Sequence, residues 1–217
     1  YTTYETGART FFIGRDSSPV TVTLDKDENA FSVTVRDGVF TIAEGAGEKI
    51  TLERGDLVVQ NGEAHIHPEV VFAEYSGITV DDGSVLTMDG NSAVTVYNLS
   101  NGGSIDVGAT TPLTVKNIMQ NSGSITAGNT VLGHGTAQGG TLHVKDLKLG
   151  GETTFTQLEA DDVTGNQGHT LTITGDAASS IGSLDGGSLS LQNGSLAITT
   201  TASTALESLQ GNGSLTT

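Results

Sequence analysis

Cysteine and tryptophan are absent from this chain of 217 residues, and proline occurs only 3 times. Without cysteine there is no disulfide framework and no thiol catalysis. The absence also tilts the reading toward an exported protein, since cytosolic chains of this length usually carry a few cysteines. Positive charge is scarce as well: 9 Lys and Arg stand against 25 Asp and Glu, a formal net charge of −16. Phosphate backbones and anionic lipid are gripped by clustered cations, and no such cluster exists here, so nucleic acid and anionic membrane are poor partners. No apolar run approaches the ~18 residues a membrane-spanning helix requires. No signal-peptide pattern opens the chain, and its start on Tyr1 points to a processed or excised segment.

What is present is glycine, 30 residues of it, with Thr, Ser, Leu and Val, a mixture that favours strands joined by tight turns. The glycines have no three-residue period, which excludes collagen, and apolar residues recur in alternation, which excludes disorder. Composition shifts near residue 75. Residues 1–75 hold 19 of the 34 charged residues and 8 of the 10 aromatics, whereas 76–217 hold 23 of the 30 glycines.

The second part repeats one motif. VYNLSNGGSIDV from Val96, VKNIMQNSGSITA from Val115, VKDLKLGGETTFT from Val144, LEADDVTGNQGHTLTI from Leu158, IGSLDGGSLSL from Ile181 and LESLQGNGSLTT from Leu206 share it. Each runs from an aliphatic residue through a Gly/Asn-rich step to Ser/Thr and a second aliphatic run. Aligned on Leu99, Ile118, Leu147, Val163, Leu184 and Leu209, the units are spaced 19, 29, 16, 21 and 25 residues apart, a mean of 22. Within a unit, Ile105 and Val107 share one strand face and Ser104 and Asp106 the other. One such coil cannot bury its apolar face. A second coil stacked ~4.8 Å away can cover it. The pairs Gly102-Gly103, Gly139-Gly140, Gly150-Gly151 and Gly186-Gly187 are expected at the corners, with positive φ. The expected fold is all-β: a right-handed parallel β-helix, or solenoid, over 76–217. Residues 1–75 form an atypical β-rich N-terminal cap or the first coils. An antiparallel sandwich is the competing fold. Arg36-Asp37-Gly38 and Gln60-Asn61-Gly62 read as hairpin or corner turns.

GGSLSLQNGSLAI (Gly186–Ile198) and NSGSITAGNTVLGHG (Asn121–Gly135) resemble passenger regions of bacterial autotransporter-type surface proteins. The resemblance covers roughly 76–217. It implies a Gly/Asn/Ser-rich β-helix on a Gram-negative cell surface or in the medium. With the end on Gly213-Ser214-Leu215, in mid-repeat, it also suggests a piece of a longer protein.

Two groups of residues are candidates for chemistry. His65 and His67 lie two apart, so on a strand both imidazoles face one way, with Glu63 or Glu69, as candidate ligands for a divalent metal. The bland reading is two polar side chains on a solvated face. Asp81, Asp162, Asp176 and Asp185 are candidate catalytic carboxylates, since pairs ~5–9 Å apart hydrolyse glycosides and neighbouring coils can supply them. Asp beside Gly is equally ordinary turn chemistry. Asp161 and Asp162 are expected on opposite faces. Exposed Asn and Thr ladders are a further candidate surface for sugars, with satisfaction inside the solenoid as the competing role. Aromatics to complete a sugar platform are few beyond residue 75, only Tyr97 and Phe155. No aspartic-protease triplet or Gly-x-Ser-x-Gly elbow occurs, and residues 25–36 depart from a calcium loop at Ala30 and Arg36.

These residues lead to a non-enzymatic, adhesin-like scaffold that presents an extended face to a host or matrix glycoprotein or glycan, with no cofactor expected. A secreted hydrolase of mucin-type glycoproteins or polysaccharides is the runner-up, and a structural spacer the third reading.

Overall fold

A computed structural model describes residues 9–13, 18–133, 137–166, 168–199 and 206–217; for residues 9–13, 137 and 138 the description is of the backbone. Glycine and β-branched residues fill every unit and oppose helix, and the described residues contain strands, turns and bends with no helix. Two large sheets of 11 and 15 strands and a small one of 3 carry the chain. Every strand pair among the described residues is parallel, and consecutive strands never pair with each other. The antiparallel sandwich is therefore excluded, and the chain is a parallel β-solenoid.

One coil shows the construction. Ile78–Val80 lies in the 11-stranded sheet, Val85–Met88 on one arm of the 15-stranded sheet and Val94–Val96 on its other arm. The chain then returns with Leu99–Asn101, which pairs in register on Ile78–Val80. Alternate residues point inward, so Ile78, Val80, Leu86, Met88, Val94 and Val96 are all buried. Stacking continues this core: Leu86 meets Ile105, and Ile105 meets Ile125. Ten register steps carry the 11-stranded sheet from Thr10 to Leu209, 199 residues, or about 20 per coil. Two ladders run across residue 75, where Leu57–Gln60 pairs with Ile78–Val80 and Glu63–Ile66 with Val85–Met88, while the third stops at Glu69–Phe72, the last strand of the 3-stranded sheet.

The repeat is real but its phase differs from the sequence alignment. Leu99 stacks on Met119, and its aligned counterpart Ile118 is 39% exposed just outside the strand. Leu147, Val163 and Leu184 form a separate ladder in the other large sheet. Leu209 belongs with Leu189 in the first. The long gap from Ile118 to Leu147 is thus a change of face, not an inserted loop. Both faces use the same aliphatic-polar alternation, so a single-motif alignment cannot separate them.

The corners differ in cause. Gly139 and Gly140 (φ +75° and +66°) and Gly186 and Gly187 (φ +67° and +74°) are left-handed as expected. Gly102 and Gly103 are not; a Cβ on Gly103 would overlap the Ser84 carbonyl oxygen of the preceding coil, so glycine serves close stacking there. Asp37 (φ 56°) and Asn61 (φ 51°) also take the left-handed form. They mark corners instead of hairpins, and Asn61 Nδ2 donates to Asp37 Oδ1 at 2.9 Å across coils. Late in the chain the strands Gln157–Thr164 and Ala178–Leu184 run through a corner and join both arms of the 15-stranded sheet.

Candidate functional site

The stacking that builds the core also builds registered outer faces. On the 11-stranded sheet, Thr79, Ser100 and Gln120 stack at the outward position of three successive strands, with Ser100 and Gln120 exposed. Beneath them the asparagines face inward: Asn101 and Asn121 are buried, and Asn101 Nδ2 donates to Asn121 Oδ1 at 2.8 Å. Asn101 Oδ1 accepts from Gly103 N–H at 3.1 Å, and Asn121 Nδ2 donates to the Thr141 carbonyl at 3.1 Å. These asparagines are committed to the scaffold, so sugar contact falls to their exposed neighbours. Where the strands end, a groove of about 490 Å³ opens, lined by residues that include Asp81, Asp82, Gln120 and Ser122.

At the opposite end of the same strands lies an aromatic pair. Tyr75 precedes Ile78–Val80, Tyr97 precedes Leu99–Asn101, and their rings meet edge to face with centroids 5.2 Å apart. Tyr75 is 66% exposed. On the next coil Asn117 Nδ2 donates to Asn98 Oδ1 at 2.9 Å, and exposed Ile118 follows. The other aromatic of the repeat region, Phe155, is fully buried against the core and presents nothing to a ligand.

The histidine pair falls on the arm of the 15-stranded sheet that carries Glu63–Ile66. Glu63, His65 and His67 face outward and Ala64 and Ile66 inward, as the strand period requires. Each imidazole has its own carboxylate. His65 Nε2 is 3.6 Å from Glu63 Oε2, and His67 Nδ1 is 2.8 Å from Asp89 Oδ1 on the next coil. The structure therefore matches His67 with Asp89, a residue that no local motif connects to it. Among the described residues no group of three or more His, Cys, Asp or Glu is placed to hold a metal ion.

The four aspartates are all exposed and sit at strand ends or corners. Asp81 opens a turn in which its carbonyl accepts from Ser84 N–H at 3.0 Å, with Gly83 at φ +70°. Asp162 stacks between Asp146 and Ser183, and Ser183 Oγ donates to its carboxylate at 2.5 Å. Asp176 lies between Thr170–Ile173 and Ala178–Leu184, and Asp185 just after the latter strand. Asp81 stands four strand spacings from Asp162, about 19 Å, too far for one hydrolytic pair. Asp161 and Asp162 are both exposed, contrary to the expectation of opposite faces, because the strand bends through its corner and breaks alternation there.

A second groove, about 460 Å³, was not legible in the sequence. Its lining includes His143, Lys145, Glu159 and Asp161. His143 and Glu159 are register partners on adjacent coils, with Nδ1 to Oε2 at 2.8 Å. Their separation in sequence matches neither the mean repeat nor any local motif, so only the ladder reveals it. Elsewhere one carboxylate is electrostatically distinct. Backbone N–H groups of Ala46 and Gly45 donate to Glu48 at 2.6 and 2.7 Å, and these bonds hold its pKa below the usual 4.5.

Compared with protein-family models, with curated proteins and with solved structures, the chain finds no match in any of the three.

Proposed function

We propose that this chain is a secreted or cell-surface scaffold, an autotransporter-like passenger that displays an extended solenoid face to a host or matrix glycoprotein. The observation that carries the reading is the registered polar run Thr79, Ser100 and Gln120, flanked at one end by exposed Tyr75 packed on half-buried Tyr97. Parallel stacking repeats hydroxyl and amide groups at about 4.8 Å along an accessible face, a geometry suited to many weak polar contacts with a long ligand. The acidic net charge of −16 keeps such a rod soluble. The likeness of Gly186–Ile198 and Asn121–Gly135 to autotransporter passengers supports the surface location, though His134 and Gly135 lie outside the described residues.

A hydrolase reading is favoured by one observation, the groove that brings Glu159 and Asp161 together with His143. One experiment separates the two. The protein is incubated with immobilised mucin and with the same mucin stripped of its glycans, and both bound protein and released fragments are measured. Saturable binding to the glycosylated surface without new fragments is expected. Fragments that appear with wild type and vanish in Glu159→Gln or Asp161→Asn variants would overturn the scaffold reading. Equal retention on both surfaces would also overturn it.

A further inference from the structure

Resting on the glycoprotein-binding reading, we infer that the outer face of the strands Ile78–Val80, Leu99–Asn101 and Met119–Asn121 is a site for a neutral oligosaccharide. Three kinds of group converge on these three coils. Tyr75 and Tyr97 stand at the start of the first two strands, and Tyr75 is largely exposed while its edge contact with Tyr97 holds the pair in place. A ring fixed in this way offers an apolar face to the C–H side of a sugar without losing much conformational entropy on binding. Across the strands, Ser100 and Gln120 supply exposed hydroxyl and amide groups that both donate and accept. At the far end Asp81 and Asp82 line the groove of about 490 Å³ with Ser122. Their carboxylates are acceptors suited to paired sugar hydroxyls. From Tyr97 through the strand Leu99–Asn101 to Gly102 the chain advances five residues, at most about 16 Å, a reach that suits an oligosaccharide better than a single ring.

Charge chooses among sugars. The groove carries Asp81 and Asp82 with no Lys or Arg among its lining residues, and at the tyrosine end Arg54 on the preceding coil and Lys116 on the following one stand beside Glu53 and Glu74, on a chain of net charge −16. Sialylated and sulfated glycans would be repelled by Asp81 and Asp82, so the ligand is uncharged along the segment that enters the groove. The buried Asn101–Asn121 pair holds the strands in register and makes no sugar contact itself.

The test is a printed array of neutral, sialylated and sulfated oligosaccharides. It is followed by calorimetry with the strongest-binding glycan on wild type and on Tyr75→Ala, Gln120→Ala and Thr126→Ala. Tyr75 and Gln120 are exposed and Thr126 is half-buried at an outward strand position, and matching circular dichroism spectra and melting curves control for folding. Neutral glycans are expected to bind best. Tyr75→Ala should weaken binding about tenfold and Gln120→Ala several-fold, with Thr126→Ala, on the other large sheet, unchanged. If wild type binds glycans and Tyr75→Ala and Gln120→Ala bind equally well, the site is wrong while the glycoprotein reading survives. Preferential binding of sialylated or sulfated glycans overturns the neutral assignment. Silence of the wild type across the whole array overturns the site; binding to intact mucin in the same preparation then decides whether the broader reading falls with it.

Discussion

Replacing Asn101 with alanine tests whether buried amides at the corner hold neighbouring coils together. The side chain donates from Nδ2 to Asn121 Oδ1 at 2.8 Å and to the Ser124 carbonyl at 2.9 Å, and accepts from Gly103 N–H at 3.1 Å. It is only 2% exposed. Truncation leaves Asn121 Oδ1 and the Gly103 N–H without these partners. A buried polar group without a partner costs about 1–3 kcal/mol, and since Gly103 is partly accessible the sum should be about 2–4 kcal/mol. Asn117→Ala is the matched control: it removes a single amide–amide bond at an accessible corner and should cost under about 0.5 kcal/mol. Coils of a solenoid open locally, so urea unfolding followed by circular dichroism should be paired with amide hydrogen exchange over Gly102–Ser124. The expected outcome is a large stability loss with exchange accelerated in that segment. A cost for Asn101→Ala indistinguishable from that of the control, with exchange unchanged, would refute the reasoning, since either the amides are then replaceable by water or the coils are held by their apolar ladder alone.

Two further expectations concern other parts of the coil. Gly103→Ala should destabilise far more than Gly83→Ala. The first drives a Cβ into the Ser84 carbonyl, while the second meets open space and pays only for its left-handed φ of +70°, about 1 kcal/mol, as thermal melts of both variants will show. Glu48 should titrate below the ordinary glutamate midpoint when its carboxyl carbon is followed by NMR, because Ala46 and Gly45 donate to the charged form. With its folded pKa lowered, its contribution is present above the unfolded pKa and disappears as pH falls through the folded one. A midpoint at or above the ordinary value would show that these bonds do not persist in solution.

Strand alternation and turn chemistry are local properties, and so they were readable directly. Ile105 and Val107 alternate with Ser104 and Asp106 because a strand has a period of two, and both aliphatics are buried as that period requires. Glycine and asparagine marked corners for the same reason, through the torsion angles they tolerate or the space they leave. The mean spacing of the local motif also came close to the true coil length, because each coil spends one such motif per face. What depends on stacking was not readable, because adjacency in a solenoid is set by how many residues each coil takes. Here the step from Ala137 to its partner Thr153 is much shorter than the step from Val33 to Leu57. That variable length hid the change of face between Ile118 and Leu147, paired His67 with Asp89 and His143 with Glu159, and left Asp81 far from Asp162. It also brought Tyr75, the last aromatic before the composition shift, against Tyr97 in the first repeat. The sequence by itself determined the period, the buried face and the corners. Only the tertiary structure decided which side chains share a surface, since a ladder joins residues one whole coil apart and no local pattern counts the residues of a coil.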